Sequence, residues 1–561
     1  MFLAAGACLA TLTLAVGSAV ADPSGPPVYR VLAGEGSYTT QDVMNALANA
    51  VTNNGTKILG SYDTPGSSPI TTKNLSSCNN LPRRYGSTEV DELEDSQIGA
   101  LGPGCFDFAR TVYNDAPAHP GQNLTYIPFA QDGLSIITRA SATVPKSLTM
   151  AQLQNLYNCV SPPPVGTFQP MLPGFGSGTR AYFLLQLGIP DTGDIGLANN
   201  RPCVRTTDIN GNPLQDNIGN LLFASNQVEP YSVSSFIAQQ SREVSDVHGN
   251  TVLGEINGIE PLMANPAIAN GITSATRAST TLPKSLTIGQ LQNLYNCVSP
   301  PVVGTFQPML PASGSTLRAN FLAELGIPNT PDIGTAGNRP CVRTTDVNGN
   351  PLAQDAGNLL FADNQLVPYD ISAFINQQSR TTADLHGVTI LDEIGGTLPL
   401  VQSDNTPMLH DVYNVLPNGN LDLDPVATTF VGATSQVCSN SAIIQQYGFM
   451  TNPACGTTTI TTPNNPALTN TPITLDPLTA GNDVTITAHV PPEVPGWVWF
   501  IPNNCQCSPD PGGIIPVPVD INTGVASSPP MNLQSAQTVE AVFEPFNATM
   551  YRGSQTMERV P

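Results

Sequence analysis

Residues 144–160 read VPKSLTMAQLQNLYNCV, and residues 282–298 read LPKSLTIGQLQNLYNCV. These two stretches agree at 14 of 17 positions, and the longer segments 138–262 and 276–400 align around them without a gap. The period of 138 residues is much longer than the roughly 20–50 residues of solenoid repeats, so each copy is long enough to bury a core of its own. The sequence therefore predicts a tandem domain duplication.

Each copy carries the helix and turn signals of an α/β unit. Thr149 and Gln152 have the spacing of a capping box, which predicts a helix start, and the same pair recurs in the second copy. Another helix is predicted between Ser177 and Gly188. Residues 208–212 (DINGN) favour a turn at Asn-Gly over a calcium loop, because no Glu stands at the twelfth position.

Composition narrows the classes of function. The chain has 561 residues, which predicts several domains, and its 42 acidic residues outnumber 20 Lys and Arg to give a net charge of −22. Phosphate backbones and anionic lipid surfaces would repel such a chain. We therefore expect no nucleic-acid partner.

The N-terminus predicts export. Residues 2–20 are apolar, and Ala19-Val20-Ala21 has the form of a signal-peptidase site, so a signal peptide is predicted at 1–21. A membrane anchor is the alternative, and Cys8 could instead belong to a lipobox. Cleavage would leave a secreted protein without a membrane span, with cell-surface association open.

The cysteines also indicate an exported protein. Without Cys8 ten remain, an even number, and they follow one another along the chain in neighbouring pairs. Metal binding is disfavoured because the histidines are scattered and no C-x-x-C spacing occurs. A strained bridge within Cys505-Gln506-Cys507 is the weakest pairing. The other predicted disulfides are Cys78–Cys105, Cys159–Cys203, Cys297–Cys341 and Cys438–Cys455.

The segments outside the repeat have their own signals. Residues 28–34 form a short apolar stretch that leads through a glycine turn at 34–40 into a helical pattern at 42–50. The start of such a helix favours an anion. A dinucleotide-binding fold is the rival interpretation, but Thr39 stands where its third glycine would be needed. Near the C-terminus, period-two stretches between proline-rich turns predict a small β-sandwich, most similar to an Ig-like domain.

The order of these signals resembles a type 2 periplasmic or extracellular solute-binding protein, similar to the phosphate-binding components of ABC importers, over roughly residues 28–456. The resemblance rests on five stretches: 34–40, Tyr85-Gly86-Ser87, 107–111 (DFART), 125–138 (TYIPFAQDGLSIIT) and Gly176-Ser177-Gly178-Thr179. It implies an α/β fold of two lobes with a tandemly duplicated second lobe, followed by the all-β sandwich. The predicted segments are lobe I (22–134 and 403–456), copy 1 (135–262), copy 2 (276–402), linkers (263–275 and 457–475) and a β domain (476–561).

The resemblance also implies a ligand site between the lobes. In the family, Ser-Gly-Thr caps a helix whose hydroxyls and amides hold an oxyanion. An Arg and an Asp that precede this motif in phosphate binders are replaced here by Pro173 and Phe175, and Val112 stands where an acceptor Asp is expected. The ligand-binding residues predicted are Gly36, Ser37, Thr39, Gly86, Ser87, Arg110, Thr111, Asp132, Ser177, Gly178, Thr179 and Arg180.

These observations predict a binding protein that captures a small, phosphate-like oxyanion. No cofactor, metal or catalytic set is predicted, because no nucleophile or acid–base group assembles, and His248 and His386 look like equivalent turn residues. The partners implied beyond the ligand are an ABC importer permease or cell-wall material. The alternative is a secreted cell-surface or cell-wall interaction protein on a degenerate solute-binding scaffold. Copy 2 has Ser315-Thr316-Leu317 at its cap, so only copy 1 is expected to face a ligand.

Overall fold

The computed structural model describes residues 29–62, 70–75, 78, 81, 104–118, 122–160, 168–298, 306–462, 469–470, 472–492, 494, 496–502, 515–535, 538–545, 551–552 and 554–561. It shows a mixed α/β protein with a large mixed sheet. In the part of the chain so described, no helix is long and apolar enough to cross a membrane.

The first segment builds one side of the large sheet. Helix α1 (Tyr38–Ala50) follows directly on the first strand, and its buried face includes Val43, Met44 and Leu47. The strand and helix predicted around residues 28–50 are thus present, with the helix starting earlier. The strands are β1 (Leu32–Gly36), β2 (Thr52–Asn53), β3 (Thr56–Lys57), β4 (Leu59–Tyr62), β5 (Phe108–Thr111) and β6 (Leu124–Arg139).

Copy 1 and copy 2 contain corresponding elements in the same order, but the first strand of copy 2 (Ile272–Arg277) corresponds to the end of β6, and two short strands (Thr389–Leu391 and Glu393–Ile394) correspond to the single copy 1 strand Thr251–Ile256. Both copies have the predicted capping box, in which Thr149 and Thr287 accept from the amides of Gln152 and Gln290. Copy 1 has β7 (Ser147–Leu148), α2 (Met150–Tyr157), β8 (Gln169–Pro170), α3 (Gly178–Gln186), β9 (Gln227–Ser232), α4 (Val233–Gln240), β10 (Thr251–Ile256) and β11 (Leu262–Ala264). Copy 2 has β12 (Ile272–Arg277), β13 (Ser285–Leu286), α5 (Ile288–Tyr295), β14 (Gln307–Pro308), α6 (Thr316–Glu324), β15 (Gln365–Asp370), α7 (Ile371–Gln378), β16 (Thr389–Leu391), β17 (Glu393–Ile394) and β18 (Leu400–Gln402).

The chain then returns to lobe I. The strand predicted at 408–417 is β19 (Met408–Pro417), and three short helices and two short strands follow. Ile460 pairs with Tyr126, so the sheet continues into the segment predicted as a linker at 457–475, whose Thr- and Pro-rich composition hid this strand. The linker predicted at 263–275 is likewise occupied in part by β11 and β12. The remaining elements are α8 (Val426–Phe430), α9 (Gln436–Ser439), α10 (Ser441–Gln446), β20 (Met450–Thr451) and β21 (Ile460–Thr461).

Strand β6 runs from the segment predicted as lobe I into copy 1, and the crossing between lobes that the resemblance implies for the stretch 125–138 stays a prediction. The sheet order is β4-β1-β5-β19-β6-β10-β7, with β1 parallel to β4 and β5, and β19 antiparallel to β5 and β6. The beginning of β6 pairs with β19 at Leu124 and Pro417, and its end pairs with β9 and β10 at Ile137. Because β1 and β5 are parallel, their carboxyl ends at Gly36 and Thr111 lie at the same edge, which is where ligands bind in such sheets.

The two copies pack against each other with approximate twofold symmetry. Strands β11 and β18 are antiparallel, and Met263 lies opposite Val401, its own counterpart in the repeat. One continuous apolar core includes matching residues of both copies, such as Phe236 with Phe374. Copy 2 therefore covers a face of copy 1 in the way that a second subunit covers the first in a symmetric dimer.

Hydrogen bonds between the two copies follow the same approximate twofold symmetry. Arg242 of copy 1 donates to the carbonyl of Leu282 in copy 2 at 2.8 Å, and Arg380 of copy 2 donates to the carbonyl of Val144 in copy 1 at 2.8 Å. Arg242 also pairs with the buried Asp392 at 3.0 Å. Reciprocal contacts of this kind hold the copies in one relative orientation.

The four disulfides predicted between neighbouring cysteines are present. They join Cys78 to Cys105, Cys159 to Cys203, Cys297 to Cys341 and Cys438 to Cys455. The two bridges inside the copies close loops of the same length, with a sequence separation of 44 between their cysteines. Cys505 and Cys507 lie outside the described residues.

The C-terminal segment is built of strands around a separate core that includes Val498, Phe500 and Phe543. The strands are β22 (Thr469–Asn470), β23 (Thr474–Leu475), β24 (Gly481–Val484), β25 (Thr487–His489), β26 (Gly496–Pro502), β27 (Ile515–Pro518), β28 (Val525–Ser527), β29 (Met531–Leu533), β30 (Thr538–Pro545), β31 (Tyr551–Arg552) and β32 (Ser554–Arg559). One sheet contains β26, β27, β30 and β32, and another contains β23, β25 and β28. An Ig-like sandwich stays a prediction.

Candidate functional site

Two helix N-termini meet between lobe I and copy 1. Helix α1 begins after Ser37 at the end of β1, and α3 begins after Ser177, whose Oγ accepts from the backbone N–H of Arg180 at 2.9 Å. The hydroxyls of Thr39 and Thr179, one from each helix, lie 3.1 Å apart. First-turn N–H groups have no acceptor within their own helix, and they form the positive end of the helix dipole. Because Thr39 and Thr179 are in contact, the positive ends of α1 and α3 lie close together. We call Ser37, Thr39, Ser177, Gly178 and Thr179 the helix-start cluster.

Ser37 is the member of this cluster whose hydroxyl is unused. The side chain is 3% exposed, and its Oγ has no hydrogen-bond partner among the described residues. It faces Gly178, where an added Cβ would lie 3.4 Å from Ser37 Oγ and 2.6 Å from Val112 Cγ2. Because Gly178 has no side chain, the start of α3 can lie this close to Val112. A buried hydroxyl without a partner costs free energy unless a ligand or water supplies one.

Asn217 completes the polar contact between the lobes, and the sequence did not single it out. Its Nδ2 donates to Thr39 Oγ1 at 3.0 Å, and its Oδ1 accepts from the backbone N–H of Ser232 at 2.9 Å. The residue has a positive φ of 57°, a conformation that Asn adopts more readily than most residues. Copy 2 has Asp355 at this position, and that difference between the copies was the available signal.

Asp132 lies next to this network and not in the helix-start cluster. Its carboxylate accepts from Ser232 Oγ at 2.6 Å, from the backbone N–H of Ser234 at 2.9 Å and from Gln402 Nε2 at 3.2 Å. Burial raises the pKa of Asp132, and the charge of His410 and the hydrogen bonds from Ser232 and Ser234 offset part of the rise. Its partners belong to the start of α4 and to β18, so it orients elements and does not contact the cluster directly.

The guanidinium groups predicted as charge partners for a ligand are used elsewhere. Arg110 is fully buried and donates to the carbonyls of Gly36, Ser37 and Tyr62 at 2.9–3.3 Å and to Thr40 Oγ1 at 3.1 Å. These bonds hold β1, β4 and the start of α1 together. The prediction that Arg110 serves as a ligand's charge partner is therefore not supported by the geometry.

Arg180 is likewise directed into its own segment. It pairs with Asp191 at 2.8 Å and donates to the carbonyls of Pro173 and Thr192. Its copy 2 counterpart, Arg318, donates to Asn329 and to the matching carbonyls, which indicates a structural role common to both copies. Neither guanidinium group enters the proposed site.

The other predicted residues are placed as follows. Gly36 ends β1 directly before the cluster, and an added Cβ there would lie 2.2 Å from the carbonyl oxygen of Arg110. Thr111 is buried and donates to the carbonyl of Tyr113 at 3.3 Å. Gly86 and Ser87 lie outside the described residues.

Two buried carboxyl groups lie near the start of α3, and the sequence did not single out either: Asp216 contacts Ser177, and Glu229 interacts with Asp216. Ser177 Oγ donates to Asp216 Oδ1 in a very short hydrogen bond. Burial raises the pKa of Asp216 to about 7, although hydrogen bonds from Ser177 and Thr179 and the charge of Arg180 oppose the shift. Burial, and secondarily the charge of Asp216, raises the pKa of Glu229 well above its usual range. Copy 2 has Gln354 and Val367 at these two positions, so both acids are particular to copy 1.

Asp216 predicts a pH dependence of stability. Its pKa is about 7 in the folded protein and near 3.8 when unfolded, so the folded state holds the proton more strongly between these values. The free energy of unfolding should therefore fall as pH rises from about 4 to about 7. We expect Asp216→Asn to flatten this slope in denaturant titrations at pH 5 and pH 8. Asp422→Asn, at an exposed position, should keep the wild-type slope, and equal slopes in the two variants would contradict the assignment.

The equivalent cap in copy 2 faces away from lobe I. Ser315 Oγ accepts from the N–H of Arg318 at 3.2 Å and donates to Gln354 at 2.9 Å, while Thr316 and Asn320 are exposed. Asn320 replaces Tyr182, which in copy 1 packs on His410 of lobe I with ring centroids 4.1 Å apart. Of the two caps, the copy 1 cap is the one packed against lobe I.

A cavity of about 190 Å³ adjoins the cluster. Its lining includes Thr39 and Asn217 and other residues of α1 and α4, together with Val244, Ser245, Val247, Tyr447 and Phe449. A ligand that contacts Thr39 can therefore extend into this cavity.

The two histidines predicted as structural turn residues have matching environments. His248 and His386 are both buried, and their Nε2 atoms lie 2.8 and 3.0 Å from the side-chain amides of Gln240 and Gln378. The same contact in both copies fits a structural role.

The fold and site define an α/β protein with polar helix starts between two halves. No protein-family model matches the chain, and no curated protein sequence matches it. Among solved structures, the chain is similar to an ABC-type phosphate transport receptor from Vibrio cholerae (16% identity, 41% of this chain and 77% of that chain, TM-score 0.27). It is also similar to a human phosphate binding apolipoprotein (12% identity, 75% of this chain and 91% of that chain, TM-score 0.29). A DING protein matches at the same identity and coverage, with a TM-score of 0.30.

Proposed function

We propose that the protein captures a small, phosphate-like oxyanion between lobe I and copy 1. The observation that carries the proposal is the 3.1 Å contact between Thr39 and Thr179, which brings the two helix starts together beside the unpartnered, buried hydroxyl of Ser37. Separation of the lobes by a hinge at β6 and β19 would let a ligand enter, and closure would bury it.

The donors suit a dehydrated oxyanion. Hydroxyl groups and first-turn amides supply several hydrogen bonds with little net positive charge, and the helix ends add a favourable partial charge. The net charge of −22 does not oppose this, because charges farther away than about 10 Å are screened at 0.1 M salt. Selectivity would come from donors and acceptors left unmatched in the wrong ligand.

The proposal assigns a role to each copy, to the partners and to the C-terminal strands. Copy 1 serves as the second lobe of the binding unit, and copy 2 is a duplicated second lobe that supports it through the twofold contact. The disulfides fit an exported protein. The partners in this role are the permease of an ABC importer or cell-wall material, and the C-terminal strands form an Ig-like domain.

Two observations favour a second function. Asp216 takes the Ser177 hydroxyl, and the close contact of Gly178 with Val112 leaves little room between the helix starts. A carboxyl at this place opposes an anion when it is ionised. These features favour the alternative in which a degenerate solute-binding scaffold now mediates cell-surface or cell-wall interaction.

A thermal unfolding screen separates the two functions. The full chain is heated with phosphate, sulfate or small organic acids, and a ligand at about 100 times its Kd should stabilise the folded state by about 2.7 kcal/mol. Stabilisation by an oxyanion and none by chloride at equal ionic strength supports capture. Absence of any shift, together with binding to cell-wall material, selects the alternative.

A further inference from the structure

Asp216 takes hydroxyl protons at the start of α3. Ser177 Oγ donates to Asp216 Oδ1, and Thr179 also gives a hydrogen bond to this carboxyl group. A serine or threonine hydroxyl has one proton, and an ionised carboxylate can only accept. While Asp216 is ionised, these two hydroxyls therefore have no proton left for an anion, and the negative charge of the carboxylate repels one.

Protonation of Asp216 reverses its hydrogen bond with Ser177. A protonated carboxyl group has an O–H that can donate. Ser177 Oγ has two lone pairs, one of which accepts from the backbone N–H of Arg180 at 2.9 Å, so the other can accept this O–H. The hydroxyl proton of Ser177 is then free. One proton taken up from solvent thus converts Ser177 from a donor to Asp216 into a donor for a ligand at the helix-start cluster.

Glu229 is the second carboxyl group of this region, and its surroundings differ from those of Asp216. It is buried, and neither of its carboxylate oxygens has a hydrogen-bond partner among the described residues. Its charge acts on Tyr157 and Tyr231, but both tyrosines donate their hydroxyls to other groups. Hydrogen bonds favour the ionised form of a carboxyl group, and two neighbouring carboxylates oppose each other's ionisation. The pair therefore loses its first proton from Asp216, which has the hydrogen bond from Ser177, while Glu229 stays protonated.

The other groups around Asp216 leave this titration to the two acids. Arg180 is the positive charge that acts on Asp216, and its guanidinium is paired with Asp191 at 2.8 Å. From lobe I, Val112 and the hydroxyls of the helix-start cluster face the start of α3, and none of these side chains ionises near neutral pH. Burial has the largest effect and raises the pKa of Asp216 to about 7. The change of charge therefore falls near neutral pH.

Copy 2 shows that the fold of the repeat does not need these acids. Gln354 and Val367 stand at the positions of Asp216 and Glu229. Ser315 still caps its helix and donates to the side-chain oxygen of Gln354 at 2.9 Å, an acceptor that does not ionise. The acid pair therefore belongs to the copy whose cap contacts lobe I and is absent from the copy whose cap faces away from it. This difference indicates a role for the pair at the lobe contact.

We propose that Asp216, with Glu229 as its protonated neighbour, couples oxyanion capture at the helix-start cluster to the uptake of one proton. This inference rests on the proposed function and adds a regulation of the same site. Only molecules with a protonated Asp216 have the Ser177 proton to donate, so the affinity is highest at low pH and falls as the pH rises through the pKa of Asp216. An oxyanion captured under acidic conditions would be released as the pH rises.

Calorimetric titration with sulfate at pH 6 and pH 8 tests the coupling. Sulfate remains a dianion over this range, whereas phosphate changes its own charge. We expect the Kd for sulfate to rise about tenfold from pH 6 to pH 8, as for a ligand that binds only the protonated form of a group with a pKa of about 7. Titrations at pH 8 in buffers of different ionisation enthalpy should show the uptake of about one proton for each sulfate bound.

Three variants locate the proton. Asp216→Asn keeps a neutral donor beside Ser177, so the ratio of the Kd values at pH 8 and pH 6 should fall from about ten to about one, and proton uptake should disappear. Glu229→Gln should keep both effects, because it leaves the ionising group in place. Asp422→Asn, at an exposed position, controls for the loss of one acidic residue and should behave as the wild type. Phosphate is titrated in parallel, since its own ionisation cancels when wild type and variant are compared.

The outcomes separate this inference from the proposed function. Binding of sulfate or phosphate without proton uptake, with a pH dependence that Asp216→Asn does not change, would overturn the coupling and leave oxyanion capture supported. Loss of the pH dependence in Glu229→Gln but not in Asp216→Asn would place the charge on the other acid and overturn the role of Asp216. Absence of binding of both oxyanions at pH 6, in the wild type and in Asp216→Asn, would overturn capture and the coupling with it.

Discussion

The double variant Ser177→Ala/Thr179→Val is expected to lose the whole stabilisation that an oxyanion confers on the wild-type protein. The substitutions remove two hydroxyls from the start of α3, one of which lies 3.1 Å from Thr39 across the lobe contact. At a ligand concentration of about 100 times the wild-type Kd, the loss corresponds to about 2.7 kcal/mol. Differential scanning calorimetry with and without phosphate measures it.

Copy 2 provides the matched control for this experiment. Ser315→Ala removes the same kind of N-cap, since Ser315 Oγ accepts from the N–H of Arg318 as Ser177 Oγ does from Arg180. Each cap is worth about 1 kcal/mol of basal stability, so both proteins should be less stable without ligand. Only the copy 1 variant should also lose the response to ligand. Equal loss of response in both would show that copy 1 is not the binding copy.

Arg110→Met is expected to lower the free energy of unfolding by at least about 2 kcal/mol. The variant removes the guanidinium donor from the buried carbonyls of Gly36 and Tyr62, and each group left unsatisfied costs about 1–3 kcal/mol, whereas the Ser37 carbonyl keeps Thr40 as a donor. Urea denaturation followed by circular dichroism gives the value. We expect the loss to appear in the absence of any ligand, because these hydrogen bonds join parts of lobe I.

Arg30→Met is the control in the same lobe. Arg30 is only partly buried and donates to the carbonyl of Lys57 at 3.4 Å, so its loss should cost less than about 1 kcal/mol. An Arg110→Met protein with wild-type stability that no longer binds an oxyanion would reverse the conclusion. It would restore the interpretation of Arg110 as a charge partner for the ligand.

Local signals in the sequence predicted the elements that form the site. Thr149 with Gln152, Ser177 before its helix and the strand at 408–417 all agree with the structure, because capping and alternation act over a few neighbouring residues. The disulfide pairs were also predictable, because each bridge joins two cysteines that are neighbours among the cysteines of the chain.

The roles of the charged and amide side chains were not predictable in this way. Arg110 lies beside a matching motif, yet its guanidinium turns inward to backbone carbonyls, which no motif shows. Asn217 reaches Thr39 across 178 positions of sequence, and Asp216 reaches Ser177 across 39. Contacts between segments so far apart depend on how the lobes pack.

The sequence alone determined the duplication, the disulfide framework and the two helix starts, because each is encoded by residues close together or by direct repetition. The difference between Gly178-Thr179 and Thr316-Leu317 also predicted that copy 1, and not copy 2, faces a ligand. Only the tertiary structure decided what the two caps contact: Ser177 lies beside Ser37, whereas copy 2 packs on copy 1 through β11 and β18. Burial and hydrogen-bond partners are properties of that packing, so two serine caps that are equivalent in the repeat have different surroundings.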